Sequence, residues 1–515
     1  MAGAHVDDGS LTMRMLSLTA AGGAIALAAA ILAAGPQRAP GGPAAAGASG
    51  RATIGINVSP VNYWQNEPTF ANQALGVGWL DNWKQIPDDR VRPDGMPISV
   101  EPGHTLNGIL IPPAPVYTGG KTATRCTWKG TGSIGVGGEV ASAFPGDHKL
   151  DFSWGHGKPS RIWLELKSSS AADPVRDLDC RLRSEAPDAV FAQQLVDYLK
   201  PFGVLRFLDW SSANGNPAAV SWATRGQPRG VSIGGSDGIA LEYQIGLTNT
   251  VGASPWFTVP LNADADYQRR MAQMVHDRIP AGRPVYVELS NEVWNYQFGQ
   301  AHQAQKEGVA ANLSENAFQA AQYRYAQRII DLMAVWSKVY ADRPRDLVRV
   351  VATQAGNPWV GEILVDWNKG ALRSSIDAIA IAPYFSIDLA TGGTEPGPQV
   401  DRLATAAHGI IAKEATAYAA LAKRTGKRLI AYEGGQHLVD AGRVDLVKAI
   451  NRDPRMAAIY ADYLKEWHAV SGGDLLTLYA ATSPITGYGA WGLREHTGQP
   501  AAETPKLRGV LGGGR

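Results

Sequence analysis

From about residue 188 to the C-terminus, apolar positions alternate between two periods. Phe191, Leu195, Tyr198 and Leu199 share one helical face, Pro201-Phe202-Gly203 interrupts it, and residues 204–208 form a short apolar run that ends at Asp209-Trp210. The same unit recurs down the chain. A helix around 240–250 precedes a strand at 256–259, and a helix carrying Tyr267, Met271, Met274 and Val275 precedes a strand at 285–289. Long helical stretches reach Tyr340 before a strand at 347–353. Helices around 360–367, 402–422 and 444–470 then precede strands at 376–382, 429–433 and 475–479. With residues 53–58 as the first strand, the pattern predicts an α/β chain folded as a (β/α)8 TIM barrel, its chemistry at the carboxyl ends of the strands.

One stretch breaks the alternation. Residues 86–185 have no helical period, are rich in Gly, Pro and Thr, and contain alternating runs such as Arg161-Ile162-Trp163-Leu164-Glu165-Leu166-Lys167. This predicts an inserted β-sandwich-like domain between the first and second barrel strands. The barrel would then start at 51–85 and continue over 186–515. Gly130-Thr131-Gly132-Ser133-Ile134-Gly135 matches a dinucleotide pattern, but no helix follows to receive a phosphate, so it reads as turns. The only two cysteines, Cys126 and Cys180, lie in the insert. They read either as a disulfide in an oxidising compartment or as two buried thiols. Ahead of all this, Arg14 and the uncharged, Ala- and Leu-rich residues 15–34 read as an export signal or an N-terminal membrane anchor, and 35–50 as a flexible linker. The expected location is periplasmic or secreted.

Charge narrows the substrate. The 48 Lys plus Arg nearly balance the 47 Asp plus Glu, so no overall field draws the chain to nucleic acid or an anionic membrane, and a neutral substrate is expected. The 15 tryptophans include several in apparent loops, where indole faces suit sugar rings. Metal and cofactor chemistry has no motif to stand on. His-Glu-x-x-His and paired Cys-x-x-Cys are absent, and Asn262, Asp264 and Asp266 imitate a calcium loop but meet Tyr267 and Gln273 where Gly and Glu are required.

The sharpest chemical signal is Val285-Tyr286-Val287-Glu288-Leu289-Ser290-Asn291-Glu292-Val293-Trp294-Asn295, an apolar strand that delivers a carboxyl group just past its tip. Leu429-Ile430-Ala431-Tyr432-Glu433 delivers a second. Two such groups, on strands four and seven, are what glycosidic bond cleavage requires: a proton for the leaving oxygen and a carboxylate against the anomeric carbon. Glu242, on a helix, is instead expected in an ion pair or cap.

On these residues the chain resembles clan A of the retaining glycoside hydrolases. The resemblance covers 51–58 and 188 onward, and leaves out the insert and the N-terminus. It implies a cofactor-free glycosidase acting on a polysaccharide or oligosaccharide, with Glu292 as acid/base and Glu433 as nucleophile about 5 to 5.5 Å apart. It further implies substrate contacts from Asn291, support of Glu433 by Arg206 and Tyr384, and a platform at Trp491. Trp294, Trp210 and His437 are added as cleft residues by position. The chain departs from the clan pattern in having Val293 where Pro is common, and Pro260-Leu261 where a histidine is expected after strand three. A non-hydrolytic glycan-binding barrel of an exopolysaccharide system, and a transglycosylase using the same pair, are the alternatives.

Overall fold

The computed structural model describes residues 53–111, 122–155, 161–228, 230–234 and 238–512; the expected export segment and linker lie outside them. The chain divides into two units, Met1–Ser49 and Gly50–Arg515, and the described residues belong to the second. Eight parallel strands close into a barrel in sequential order: β1 Ile54–Asn57, β2 Val204–Arg206, β3 Ser254–Val259, β4 Val285–Leu289, β5 Leu347–Ala352, β6 Ala378–Ile381, β7 Arg428–Ala431 and β8 Leu476–Leu478. Each falls within or beside a stretch expected to be a strand. β1 closes the ring by pairing with both β2 and β8.

Strand parity explains why these runs are so uniformly apolar. Side chains alternate between the two faces of a strand, and in a barrel wrapped by helices both faces are buried. On β4, Val285, Val287 and Leu289 join the cluster shared with the helices, whereas Tyr286 joins the separate cluster filling the barrel interior. Glu288 has the parity of Tyr286, so a carboxylate is delivered to the interior with no exposed surface. On β2, Leu205 packs outward, and Val204 and Arg206 take the inward parity.

The helical layer follows its i, i+3, i+4 pattern. Helix Met456–Ser471 buries Met456, Ile459, Tyr460, Tyr463, Leu464 and Trp467. Two stretches expected as single helices are divided. Residues 444–470 form Val444–Arg452 and Met456–Ser471, because Pro454 holds Asp453 in an extended conformation. The stretch at 402–422 becomes Pro396–Ile410, a π turn at Ile411–Ala415, and Thr416–Thr425.

Between β1 and β2 the chain forms two antiparallel sheets. One has four strands, ordered Arg176–Leu182, Thr122–Lys129, Lys149–Trp154, Val140–Gly146; the other has five, ordered Lys84–Gln85, Trp79–Asp81, Leu106–Ile111, Ile162–Ser169, Gly132–Gly138. The first two strands of the five-stranded sheet precede residue 86, where the insert was expected to begin. Alternation holds here too: Ile162, Leu164 and Leu166 are buried, as are Leu178 and Cys180. Cys126 and Cys180 face each other in register and are joined as a disulfide. Of the motif at 130–135, which was expected to form turns, Gly130 and Thr131 make the turn between two strands, and Gly132–Gly135 lie within the strand that follows.

Candidate active site

Just beyond β4, the backbone turns sharply. Ser290 and Glu292 both have positive φ, 57° and 45°, which a non-glycine residue adopts at a cost of roughly 1–3 kcal/mol each. The turn is braced on several sides. The Ser290 amide donates to the Val259 carbonyl at 2.7 Å, the Tyr325 hydroxyl to the Leu289 carbonyl at 3.0 Å, and Gln300 Nε2 to the Asn291 carbonyl at 2.7 Å. Such bracing is what keeps a strained turn populated, and the turn it preserves presents Glu292.

Glu433 follows β7 by two residues. Its two oxygens have separate donors: Arg206 Nη1 at 2.7 Å to Oε1, and the Tyr384 hydroxyl at 2.9 Å to Oε2. Glu292 has a weaker polar set. The Tyr432 hydroxyl donates to Oε1 at 3.0 Å and Asn295 Nδ2 to Oε2 at 2.8 Å. Burial, with the neighbouring negative charge of Glu433, pushes its pKa up to about 7 despite these donors. Two carboxyl groups within electrostatic reach of each other therefore sit in unlike environments.

Arg206 organises the charge. Fully buried, it uses every N–H it has: Nε and Nη2 to Glu288 at 3.0–3.2 Å, Nη1 to Asn57 Oδ1 at 3.0 Å and to Glu433, and Nη2 also to Asn291 Oδ1 at 2.9 Å. Its guanidinium carbon lies 5.6 Å from the centre of the Trp256 ring and 5.1 Å from that of Tyr432. Burial alone would lower its pKa, but Glu288 and Glu433 raise it further, so the guanidinium stays charged. Glu288 also accepts from Trp256 Nε1 at 2.8 Å. Burial raises this carboxyl to about 7, while Arg206 pulls the other way, and the convergence of N–H donors favours its ionised form.

A fourth carboxyl, besides Glu292, Glu433 and Glu288, is Asp209, in the one-turn 3₁₀ helix just after β2. Burial and then Glu433 raise it to about 7, and its Oδ2 is buried without a hydrogen-bond partner. The charge of Asp209, followed by burial, lifts the Tyr479 phenol well above its ordinary range. Tyr384 and Tyr432 are also raised well above theirs, chiefly by burial and then by the glutamates, so both remain neutral donors.

Most of the residues expected in the site converge here. Asn291 is buried, accepts from Arg206 and donates to Asn214 Oδ1 at 3.0 Å. Tyr384 stacks edge-on to His437, whose Nδ1 accepts from Trp491 Nε1 at 3.1 Å, and burial lowers the His437 pKa. Trp294, two residues after Glu292, is half-buried against the core that lies between barrel and helices, its Nε1 without a partner. Trp210 is a correction. It has no exposed surface, donates to the Ser59 carbonyl at 2.8 Å, and packs on Phe207 and Phe70, so it is a core residue and offers no face to a ligand. Trp256 is likewise interior. Glu242 pairs with Arg225 at 2.7 Å, and Asp264 caps helix Ala265–Arg278. No cluster of His, Cys, Asp or Glu able to hold a metal ion occurs among the described residues.

Asn57, Glu288, Asp209, Tyr432 and Tyr479 were not anticipated. Parity on the expected strands would have aimed Glu288 inward beside Arg206, and Tyr432 stands next to Glu433 at a strand tip.

No family model and no curated protein matches the chain. Solved structures similar to it include an α-L-arabinofuranosidase from Thermotoga maritima, 11% identical over 62% of this chain, with a TM-score of 0.34. The chain spans 63% of the length of that protein. A family GH51 arabinofuranosidase from Xanthomonas axonopodis pv. citri is 11% identical, over 58% of this chain and 62% of its own, with a TM-score of 0.35. A β-glucosidase from Thermotoga maritima is 13% identical, over 62% of this chain and 85% of its own, with a TM-score of 0.33.

Proposed function

We propose that this protein is an exported, retaining glycoside hydrolase that cleaves O-glycosidic bonds of a neutral polysaccharide or oligosaccharide. The observation that carries the reading is the pair of buried glutamates past the tips of β4 and β7, with Arg206 and Tyr384 on one and a pKa near 7 on the other. In the first step a Glu433 oxygen bonds to the anomeric carbon while the bond to the leaving oxygen breaks, and Glu292 gives that oxygen its proton. In the second, Glu292 takes a proton from water, the water oxygen bonds to the anomeric carbon, and the ester to Glu433 breaks, so configuration is retained overall. Asn291, held by Arg206 and Asn214, presents its remaining N–H to the sugar, and Trp491 and Trp294 supply aromatic surface. The disulfide supports an oxidising compartment. The two antiparallel sheets are read as a sandwich-like accessory module.

The test is direct. Purified protein is screened against a panel of neutral polysaccharides and oligosaccharides, with product anomers followed by NMR. Glu433→Ala and Glu292→Gln should each abolish hydrolysis while the circular dichroism spectrum is unchanged, and near wild-type turnover by either sinks the assignment. Longer products at high substrate concentration would identify transglycosylation, in which a sugar hydroxyl replaces water. Tight binding with no turnover would identify a glycan-binding barrel.

A further inference from the structure

The loops after β1 and β2 meet the insert around a cavity of about 450 Å³ that is lined by neither Glu292 nor Glu433. That volume lies in the range of small-molecule sites. Its walls are held by close backbone approaches. A side chain at Gly78, on the insert side, would come within 2.3 Å of the Tyr63 ring, and one at Gly234 within 2.2 Å of the Val61 carbonyl. The loop after β1 therefore approaches the insert side through Gly78 and the loop after β2 through Gly234, and the cavity is a built junction of the three.

Its lining is suited to a sugar. Trp64 is 59% exposed, yet it is held edge-on against Tyr63 with ring centres 4.7 Å apart. An indole left open but fixed in orientation provides a flat apolar face at little entropic cost on binding. Arg92 lines the same cavity. Its Nε and Nη2 are taken by Asp94, Nη2 also by the Val175 carbonyl, and its Nη1 is buried without a partner. With the Arg92 charge already compensated by Asp94, and the Asp88 carboxylate also in the lining, the cavity suits a neutral ligand better than an anion.

The cavity lies on the face that carries the glutamates. Both loops leave carboxyl ends of strands, and Trp64 is seven residues beyond Asn57, which is bonded to Arg206. Seven residues span at most about 25 Å, so one extended chain can engage both places.

We infer that this cavity is a subsite for a neutral oligosaccharide segment, with Trp64 stacking on a sugar ring, several sugar units from the bond being cleaved. This rests on the glycosidase reading and makes the protein a reader of chains rather than of terminal sugars. The insert then contributes directly to substrate recognition.

The test uses the full-length Glu433→Ala protein, so that binding is measured without turnover. Isothermal titration compares cellohexaose, laminarihexaose, mannohexaose and galactohexaose with the matching disaccharides. At least one hexasaccharide should bind more tightly than its disaccharide. Adding Trp64→Ala should weaken that hexasaccharide about tenfold, the loss expected for one stacked aromatic. The disaccharide should change less than about twofold, as for an exposed substitution away from its contacts. Trp64→Phe, which keeps an aromatic face, should recover most of the affinity. Hexasaccharide binding that is indifferent to Trp64→Ala, or absence of binding by all four, would each overturn the subsite. Failure of the glycosidase reading looks different: the wild-type chain would leave the best-bound hexasaccharide intact whatever Trp64 does.

Discussion

The barrel mouth and the insert solve opposite problems with the same alternating parity. In the insert, inward positions of antiparallel strands are apolar: Trp79, Leu106, Trp154 and Leu164 share one buried core with the cystine. In the barrel, the inward positions near the strand tips hold Arg206, Glu288 and Asn57, all buried, and the adjoining turns add Glu292 and Glu433. Charge is buried where the surrounding core is largest and helices cover the outside. The smaller core carries a covalent staple and little buried charge. Polar groups that destabilise a fold are thus placed where the rest of the fold can offset them.

The strongest way to break this contrast is Arg206→Met. It leaves Glu288 and Glu433 buried without their cation, for which about 3–5 kcal/mol of stability should be lost. Urea unfolding followed by fluorescence measures the loss, and hydrolysis should disappear with it. A variant as stable as the parent would mean that the network carries no net stabilisation.

Removing the staple should act elsewhere. The cystine closes a 54-residue separation, for which chain entropy gives about 4 kcal/mol as an upper expectation. In Cys126→Ser/Cys180→Ser the damage should be confined to the insert, seen as new proteolytic cuts between 79 and 182. Turnover of short substrates should survive. Cuts distributed through the barrel helices would show that the two regions fold as one cooperative unit.

How much of this contrast could be read beforehand follows the physics of each signal. All eight barrel strands were legible because strands buried on both faces leave largely apolar runs. The positions of Glu292 and Glu433 past the strand tips were legible because a carboxyl group just past such a run is conspicuous. Glu288 was hidden inside its run, where the eye counts apolar neighbours and passes over parity. Trp210 was misplaced for a related reason: closeness to a strand tip does not reveal which way the next turn faces, and the Asp209–Ser211 turn sends the indole into the core. The same turn leaves Asp209 near Glu433, a position no spacing rule announces. The insert's extent was blurred because the two-residue strand Lys84–Gln85 and the three-residue Trp79–Asp81 are too short to show a period.

The buried acid at the mouth should leave a thermodynamic trace that the insert lacks. Glu292 titrates near 7 in the folded chain and near 4.5 when unfolded. Between these values the folded state holds the extra proton, so stability falls as pH rises from about 4.5 to 7, by up to about 3 kcal/mol. Glu292→Gln removes the titration. Its melting temperature should exceed the parent's above pH 7, and the advantage should shrink towards pH 4. An advantage independent of pH would mean that the gain is packing, not proton linkage.

The smallest and most selective effect is expected from Tyr432→Phe. The hydroxyl donates to Glu292 Oε1 and so favours the ionised carboxylate, while the ring also lies against Arg206. Phe keeps the ring and removes the donor, with Asn295 still bonded to Oε2. The Glu292 pKa should therefore rise, moving the alkaline limb of kcat/KM upward by roughly 1–2 pH units, the size expected for losing one hydrogen bond to a charged group. Since kcat/KM reports the free enzyme, the limb follows the acid before substrate binds. A profile that only drops in height would assign Tyr432 to positioning the sugar, and one that moves to lower pH would mean that Glu292 is not the group being titrated.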